Sequence, residues 1–297
     1  MLSRKRPLRR RARLLAGAAL VALPLVLFPG AAGATAAVPS AAASAGGWNE
    51  DDCAPAARHP RPVVLVHGTG ANGTVNWLGL APYLADRGYC VYSFDYGMLP
   101  GVPILGGLGP MEESADQLAE FVDEVLAETG AREVDLVGHS QGGVLPRYYL
   151  KHHQGAAGKV NALVGIAPNT NGTTLAGLTR LLDVFPGLED AIAAGAPALA
   201  QQVAGSDFMT ALNSGGYTVP GVTYTVIATR YDEIVTPYRS QFIDEPGVRN
   251  VLLQDLCPID FSEHATIGLL SRVAFHETAN ALDPAGAERT DCGDLLG

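Results

Sequence analysis

A serine held between two glycines, Gly138-His139-Ser140-Gln141-Gly142, is the stretch best suited to chemistry. It follows a short strand-like run at 134–137 and opens a helical stretch through Tyr148, Tyr149 and Leu150. So tight a turn leaves no room for side chains at 138 and 142, and it exposes the serine hydroxyl at the carboxyl end of a strand. A hydroxyl placed there attacks carbonyl carbon once a neighbouring base takes its proton, so the expected chemistry is acyl transfer. The pattern is weak by itself in a chain with 35 glycines. Its strand–turn–helix setting is what gives it weight.

The base must in turn be held in one tautomer by an acid, and on this kind of scaffold the chain order is Ser, then Asp or Glu, then His. Asp232 follows the strand-like run 224–229, at the carboxyl end where such sheets present their sites. Glu233 is expected to point elsewhere, Asp183, Asp190 and Asp207 fall in a later insert, and Asp255 and Asp260 lie too near the proposed histidine. For the base, His264 falls between the last strand-like run, 248–254, and a helix expected over 266–279. His276 sits within that helix, and His152 and His153 lie at the far end of the helix after Ser140. The negative charge that develops on the substrate oxygen needs backbone donors. Gln141 supplies one N–H, and the loop His67-Gly68-Thr69-Gly70 after the first core strand supplies the second through Thr69.

The elements that would position these residues alternate. Apolar β-branched runs at 62–66, 90–94, 134–137, 160–167 and 222–227 read as strands buried on both faces of a parallel sheet. Helices are expected over 77–87 and 112–129, the latter with Ala115, Leu118, Phe121, Val122, Val125 and Leu126 on one face and Gly130 as its stop. Pro146 should kink the helix after Ser140 or delay its start. The alternation predicts an α/β domain over 62–297 with a mostly parallel sheet. Residues 169–216 interrupt it with an apolar stretch read as a small helical cap.

The 297 residues carry a formal charge of −10. Residues 1–36 have the layout of a secretory signal: a basic start, an apolar run over 14–28 and small residues with A-x-A-like sites. Residues 37–61 read as a flexible lead-in. The first 36 residues hold seven of the 20 Lys and Arg and none of the 30 Asp and Glu, so their removal leaves −17. So acidic a surface argues against nucleic acid as a partner, because its phosphates require a basic patch. It favours solubility and uncharged substrates; once the signal is cleaved, a monomer without stable membrane insertion is expected. Four cysteines in an exported chain imply disulfides with three possible pairings, and their order suggests Cys53–Cys90 and Cys257–Cys292. No spacing suits a zinc site, and no metal or organic cofactor is expected.

Taken together, Gly68-Thr69-Gly70, Ser140-Gln141-Gly142-Gly143, Ala167-Pro168, Gly172-Thr173, Asp232-Glu233-Ile234-Val235, His264-Ala265 and Asp291-Cys292 give the chain a family likeness from about 62 to 292. It resembles the α/β-hydrolase lipases of the Candida antarctica lipase B type and the related secreted actinobacterial (class 2 type) lipases. The resemblance implies the α/β-hydrolase fold and triacylglycerol lipase or carboxylesterase activity, with a lipid or small ester as substrate, met in some cases at a lipid–water interface. It also implies a triad of Ser140, Asp232 and His264 and oxyanion donors at Thr69 and Gln141, and it supports the cysteine pairing above. The pocket is expected around Gly68, His139, Asn169, Leu175 and Leu178. His67 and His139 stand where lipase B has proline and tryptophan, and there the chain looks like the commoner bacterial lipases. His139 is therefore read as a pocket wall bearing on alcohol selectivity. Two rival readings are a polyester- or cutin-degrading hydrolase and a non-catalytic binding domain on the same scaffold.

Overall fold

Strands that are apolar on both faces pair in parallel when helices cover each side of the sheet. In the computed structural model, which describes residues 46–174, 176–178 and 195–296, seven strands pair in parallel, the central ones buried on both faces. They are β1 Gly47–Trp48, β2 Val63–Val66, β3 Cys90–Ser93, β4 Val134–His139, β5 Val160–Ile166, β6 Thr223–Ala228 and β7 Val248–Leu252. Their order is β1-β3-β2-β4-β5-β6-β7, and every neighbouring pair is parallel. Register decides where the loops emerge. Val66 pairs with Gly138, His139 with Ile166 and Ile166 with Ile227, so the chains leaving β2, β4, β5 and β6 come out side by side. Strand β4, which leads into Ser140, stands in the middle of the sheet.

Alternate residues of each strand face opposite layers. Val64, Val66 and Leu136 pack with Leu118 and Val122 of α2 (Met111–Thr129) and Leu145 and Tyr149 of α3 (Leu145–His152). Val63, Leu65 and Val137 pack on the other face with Leu80 and Leu84 of α1 (Leu80–Ala85), and with Val273 and Phe275 of a helix near the carboxyl terminus. Each of these fully buried leucines contributes about 2 kcal/mol by leaving water. Helix α2 ends where Gly130 takes φ 67° and returns its N–H to the Leu126 carbonyl, a left-handed stop that glycine makes without steric cost. Helix α3 carries Pro146 in its first turn, where no N–H is needed, and so starts late. It runs back toward the amino ends of the strands. There Lys151 donates to the carbonyls of Leu212, Ser214 and Gly216, and Lys159 pairs with Asp123.

The structure differs from the sequence reading in three places. The stretch read as a lead-in, 37–61, is structured from Gly46 onward: β1 pairs with β3, Asn49 accepts the Ser93 N–H, and Cys53 is bonded to Cys90. Two strand residues are too short for a periodic signal, and the disulfide holds them in place. The helix expected over 266–279 is two helices, α7 His264–Ile267 and α8 Arg272–Leu282, because Ser271 caps the second by accepting the Ala274 N–H. His264 therefore opens a short helix rather than lying in a loop. The helix expected over 77–87 begins only at Leu80, after a 3-10 turn at Val75–Trp77. Between β7 and α7 comes α6, Leu253–Leu256. The described parts of the insert 169–216 include α4 Pro197–Gln201 and α5 Asp207–Asn213. The expected signal at 1–36, residues 37–45, Leu175 and residues 179–194 lie outside the described residues. Among the described residues no helix is long and apolar enough to cross a membrane. A second disulfide joins Cys257 to Cys292.

Candidate active site

Strand β4 ends at His139 in extended conformation, and Ser140 then takes φ 55° before a 3-10 turn over Ser140–Gly143. A left-handed serine costs about 1–2 kcal/mol, and the packing around it enforces that conformation. A Cβ on Gly138 would lie 1.7 Å from the Gly142 carbonyl oxygen, and one on Gly142 would lie 1.9 Å from the Val66 oxygen. The chain can pass here only without side chains.

The structure brings Ser140, His264 and Asp232 into one hydrogen-bonded line. His264 Nε2 lies 2.9 Å from Ser140 Oγ, and His264 Nδ1 lies 2.7 Å from Asp232 Oδ2. Asp232 also accepts from the backbone N–H of Ile234 (2.9 Å) and Val235 (2.7 Å) and from Gln241 Nε2 (2.9 Å). Four donors thus surround one buried carboxylate and fix its orientation. With the carboxylate on Nδ1, that nitrogen carries the proton, which leaves Nε2 free to accept the serine proton. Glu233 does not reach the ring; its carboxylate accepts the His264 backbone N–H at 3.3 Å. His276 pairs with Asp294 and His153 with Asp116, away from the serine.

Gln254 joins the loop that carries Asp232 to the segment before His264. Its Nε2 donates to Thr229 Oγ1 and to the Asp260 carbonyl, each at 2.9 Å, while its Oε1 accepts the Arg230 N–H. Thr229 Oγ1 donates onward to the Ser262 carbonyl at 2.7 Å. The buried Asp260 accepts from Ser271 and from the Ser262 N–H.

Gly68 lies against Ser140, since a Cβ there would come within 3.1 Å of the Ser140 Cβ. Its N–H donates to Asn76 Oδ1 at 2.9 Å, and its carbonyl accepts from His67 Nδ1 at 2.9 Å. Burial pushes the His67 pKa down to about 4. Thr69 Oγ1 lies 2.9 Å from Gln202 Nε2, and Gln202 Oε1 accepts from Asn169 Nδ2 at 2.9 Å. Thr69 itself is buried, and Gln141 is the second residue of a 3-10 turn, where backbone N–H groups precede the first internal bond. The Gln141 side chain is held by Gly107 and Tyr96. Asn169 is buried, with Oδ1 meeting no donor among the described residues. Leu178 packs with Val102, Leu108, Ile234 and Val235 in a small apolar cluster beside the acid loop. His139, one residue before Ser140, is as buried as the serine itself. Among the described residues no group of three or more His, Cys, Asp or Glu could hold a metal ion.

Sequence reasoning missed Asn76, Gln202, Gln241 and Gln254. Gln202 meets Thr69 across 133 residues, so no local spacing announces it. Gln241 carried the nearest thing to a signal, a polar residue nine positions after the candidate acid.

The fold and the tight turn at Ser140 define the class. Residues 61–215 match the model of the alpha/beta hydrolase fold family, and the chain belongs to that family. Among curated proteins, it is 27% identical over 250 residues to lipase B of Pseudozyma antarctica, covering 79% of this chain and 67% of that one. It is 37% identical over 143 residues to a triacylglycerol lipase of Burkholderia plantarii, covering 46% of this chain and 36% of the relative's length. Among solved structures, Aspergillus fumigatus lipase B superposes with a TM-score of 0.59 at 20% identity, over 80% of this chain and 59% of that one.

Proposed function

We propose that the protein is a secreted serine ester hydrolase of the triacylglycerol lipase or carboxylesterase type. The observation that carries this reading is the continuous line from Ser140 Oγ through His264 to Asp232. In the proposed reaction His264 Nε2 takes the Ser140 proton as Oγ attacks the ester carbonyl. Asp232 holds the imidazole in its tautomer and stabilises the imidazolium that forms. The oxyanion is met by the backbone N–H groups of Thr69 and Gln141, where loss of one donor costs about 3–4 kcal/mol of barrier. His264 then gives its proton to the leaving alcohol. Water, deprotonated by the same ring, releases the acid from the acyl-serine. Gly68, Asn169 and the apolar cluster with Leu178 line the acyl side.

The relatives named as lipases support an ester substrate, and the distribution of apolar surface supports one met at a lipid–water interface. Among the described residues the exposed large hydrophobics are Val75, Leu78, Ile104, Tyr231, Ile259, Phe261 and Leu270. Every one lies on a connection leaving the carboxyl end of β2, β3, β6 or β7, the end that carries Ser140. The two disulfides support export.

Replacing Ser140 by Ala is expected to abolish hydrolysis of p-nitrophenyl esters and labelling by a fluorophosphonate probe while thermal unfolding is unchanged. Full activity in that variant would overturn the proposal.

A further inference from the structure

His139 touches three parts of the site from a position one residue before the nucleophile. Its Nδ1 lies 3.1 Å from Asn76 Oδ1, the atom that accepts the Gly68 N–H at 2.9 Å. Its Nε2 lies 2.9 Å from the backbone carbonyl oxygen of His264. The two imidazole centroids are 5.0 Å apart, and Gly268 of the base segment lies so close that a Cβ there would come within 3.3 Å of the His139 ring.

Both ring nitrogens thus face acceptors. The His264 carbonyl can only accept, and the Asn76 oxygen is fixed as an acceptor by the Gly68 N–H. Burial, and after it the neighbouring His264, push the His139 pKa down to about 3, with Asp232 opposing and His67 adding to the depression. The ring is therefore neutral near pH 7 and has one proton for two acceptors. Asn76 already has a donor in Gly68, and the His264 carbonyl is the nearer of the two, so the proton belongs on Nε2.

We propose that His139 is a positioning residue for the general base, its Nε2–H holding the His264 carbonyl and so tying the first turn of α7 to the nucleophile's own strand. Residues 139 and 140 then grip the two ends of one residue: His139 the backbone of His264, Ser140 its ring. Glu233 on the His264 N–H and Asp232 on Nδ1 complete the hold. This rests on the hydrolase reading above and gives His139 a task distinct from lining the pocket.

Three enzymes test it: wild type, His139→Phe, which keeps a ring without a donor, and His139→Gln, which restores an N–H near the Nε2 position. Steady-state kinetics on p-nitrophenyl butyrate, the rate of fluorophosphonate labelling and the melting temperature are measured for each. His139→Phe is expected to lower kcat and labelling rate on the order of 10- to 100-fold, the cost of a misplaced catalytic group. KM should stay within about twofold, and Gln should recover most of the loss. Should the Phe variant fail to fold, His139→Asn, whose donor falls at the Nδ1 position, replaces it in the comparison with Gln. Nitrogen-15 NMR of the wild type should show a neutral His139 with its proton on Nε2. A Phe variant with wild-type kcat, a loss confined to KM, equal losses in Phe and Gln, or a proton on Nδ1 each overturn the proposal. A wild-type protein that neither hydrolyses esters nor labels at Ser140 sinks the hydrolase reading instead, while the NMR tautomer still decides whether this ring holds the His264 carbonyl.

Discussion

Gly142 serves the site by what it lacks. A methyl group there would meet the Val66 carbonyl oxygen at 1.9 Å, and that oxygen belongs to a central strand that cannot retreat. Gly142→Ala is expected to cost more than about 3 kcal/mol, the upper range for overpacking, seen as a lowered urea midpoint and lost activity. Asp232 acts by contrast through what it accepts. Asp232→Asn keeps the shape of the side chain but lets His264 adopt the wrong tautomer. On the hydrolase reading kcat should fall by about 10³- to 10⁴-fold with little change in melting temperature. A fall under tenfold, measured by stopped assay at pH 7.5, would place the acid elsewhere.

The central strands β2 to β5 were legible because they are largely buried on both faces, which writes them as apolar runs such as Val63-Val64-Leu65-Val66. Strand β4 and α2 were legible for the same kind of reason, continuous burial in one and a single apolar face in the other. Helix α7 was not, since four residues fall below any periodic window and its end is set by the Ser271 cap of the next helix. The triad candidates could be read because chain order and strand ends constrain them. Their supports could not: Gln254 acts by bridging two loops, and Asn76 by standing between Gly68 and His139. Such partnerships exist only after folding. The Cys257–Cys292 bridge belongs to this scale too, closing a separation of 35 residues around α7 and α8. Replacing both cysteines by Ser is expected to cost about 4 kcal/mol in the chain-entropy model, read as a drop in melting temperature under non-reducing conditions, with the Cys53–Cys90 bridge kept.

Across the whole molecule, buried neutral histidines set the response to acid. His67 is fully buried, with its pKa pushed down to about 4 from an ordinary 6.5. Above pH 6.5 neither the folded nor the unfolded form holds this proton, and the full stability is present. Between pH 6.5 and 4 the unfolded chain takes the proton and the folded one does not, so stability falls as pH falls. The loss reaches about 3 kcal/mol from His67 by pH 4, and His139 adds to it over a window extending to about pH 3. The melting temperature should therefore drop steadily below pH 6.5, and His67→Gln should flatten that slope. A melting temperature independent of pH from 6.5 to 4 would contradict this.

The helix that leads away from Ser140 has a practical consequence. The chain holds three lysines, Lys5, Lys151 and Lys159, and the two that are described lie at the end of the sheet opposite the exposed apolar residues, at the close of α3 and just before β5. A bead bearing aldehydes captures proteins by their amines. Coupled through Lys151 or Lys159, a molecule would stand on the support with its exposed apolar residues turned outward, and such molecules would present a greasy face to an oil phase.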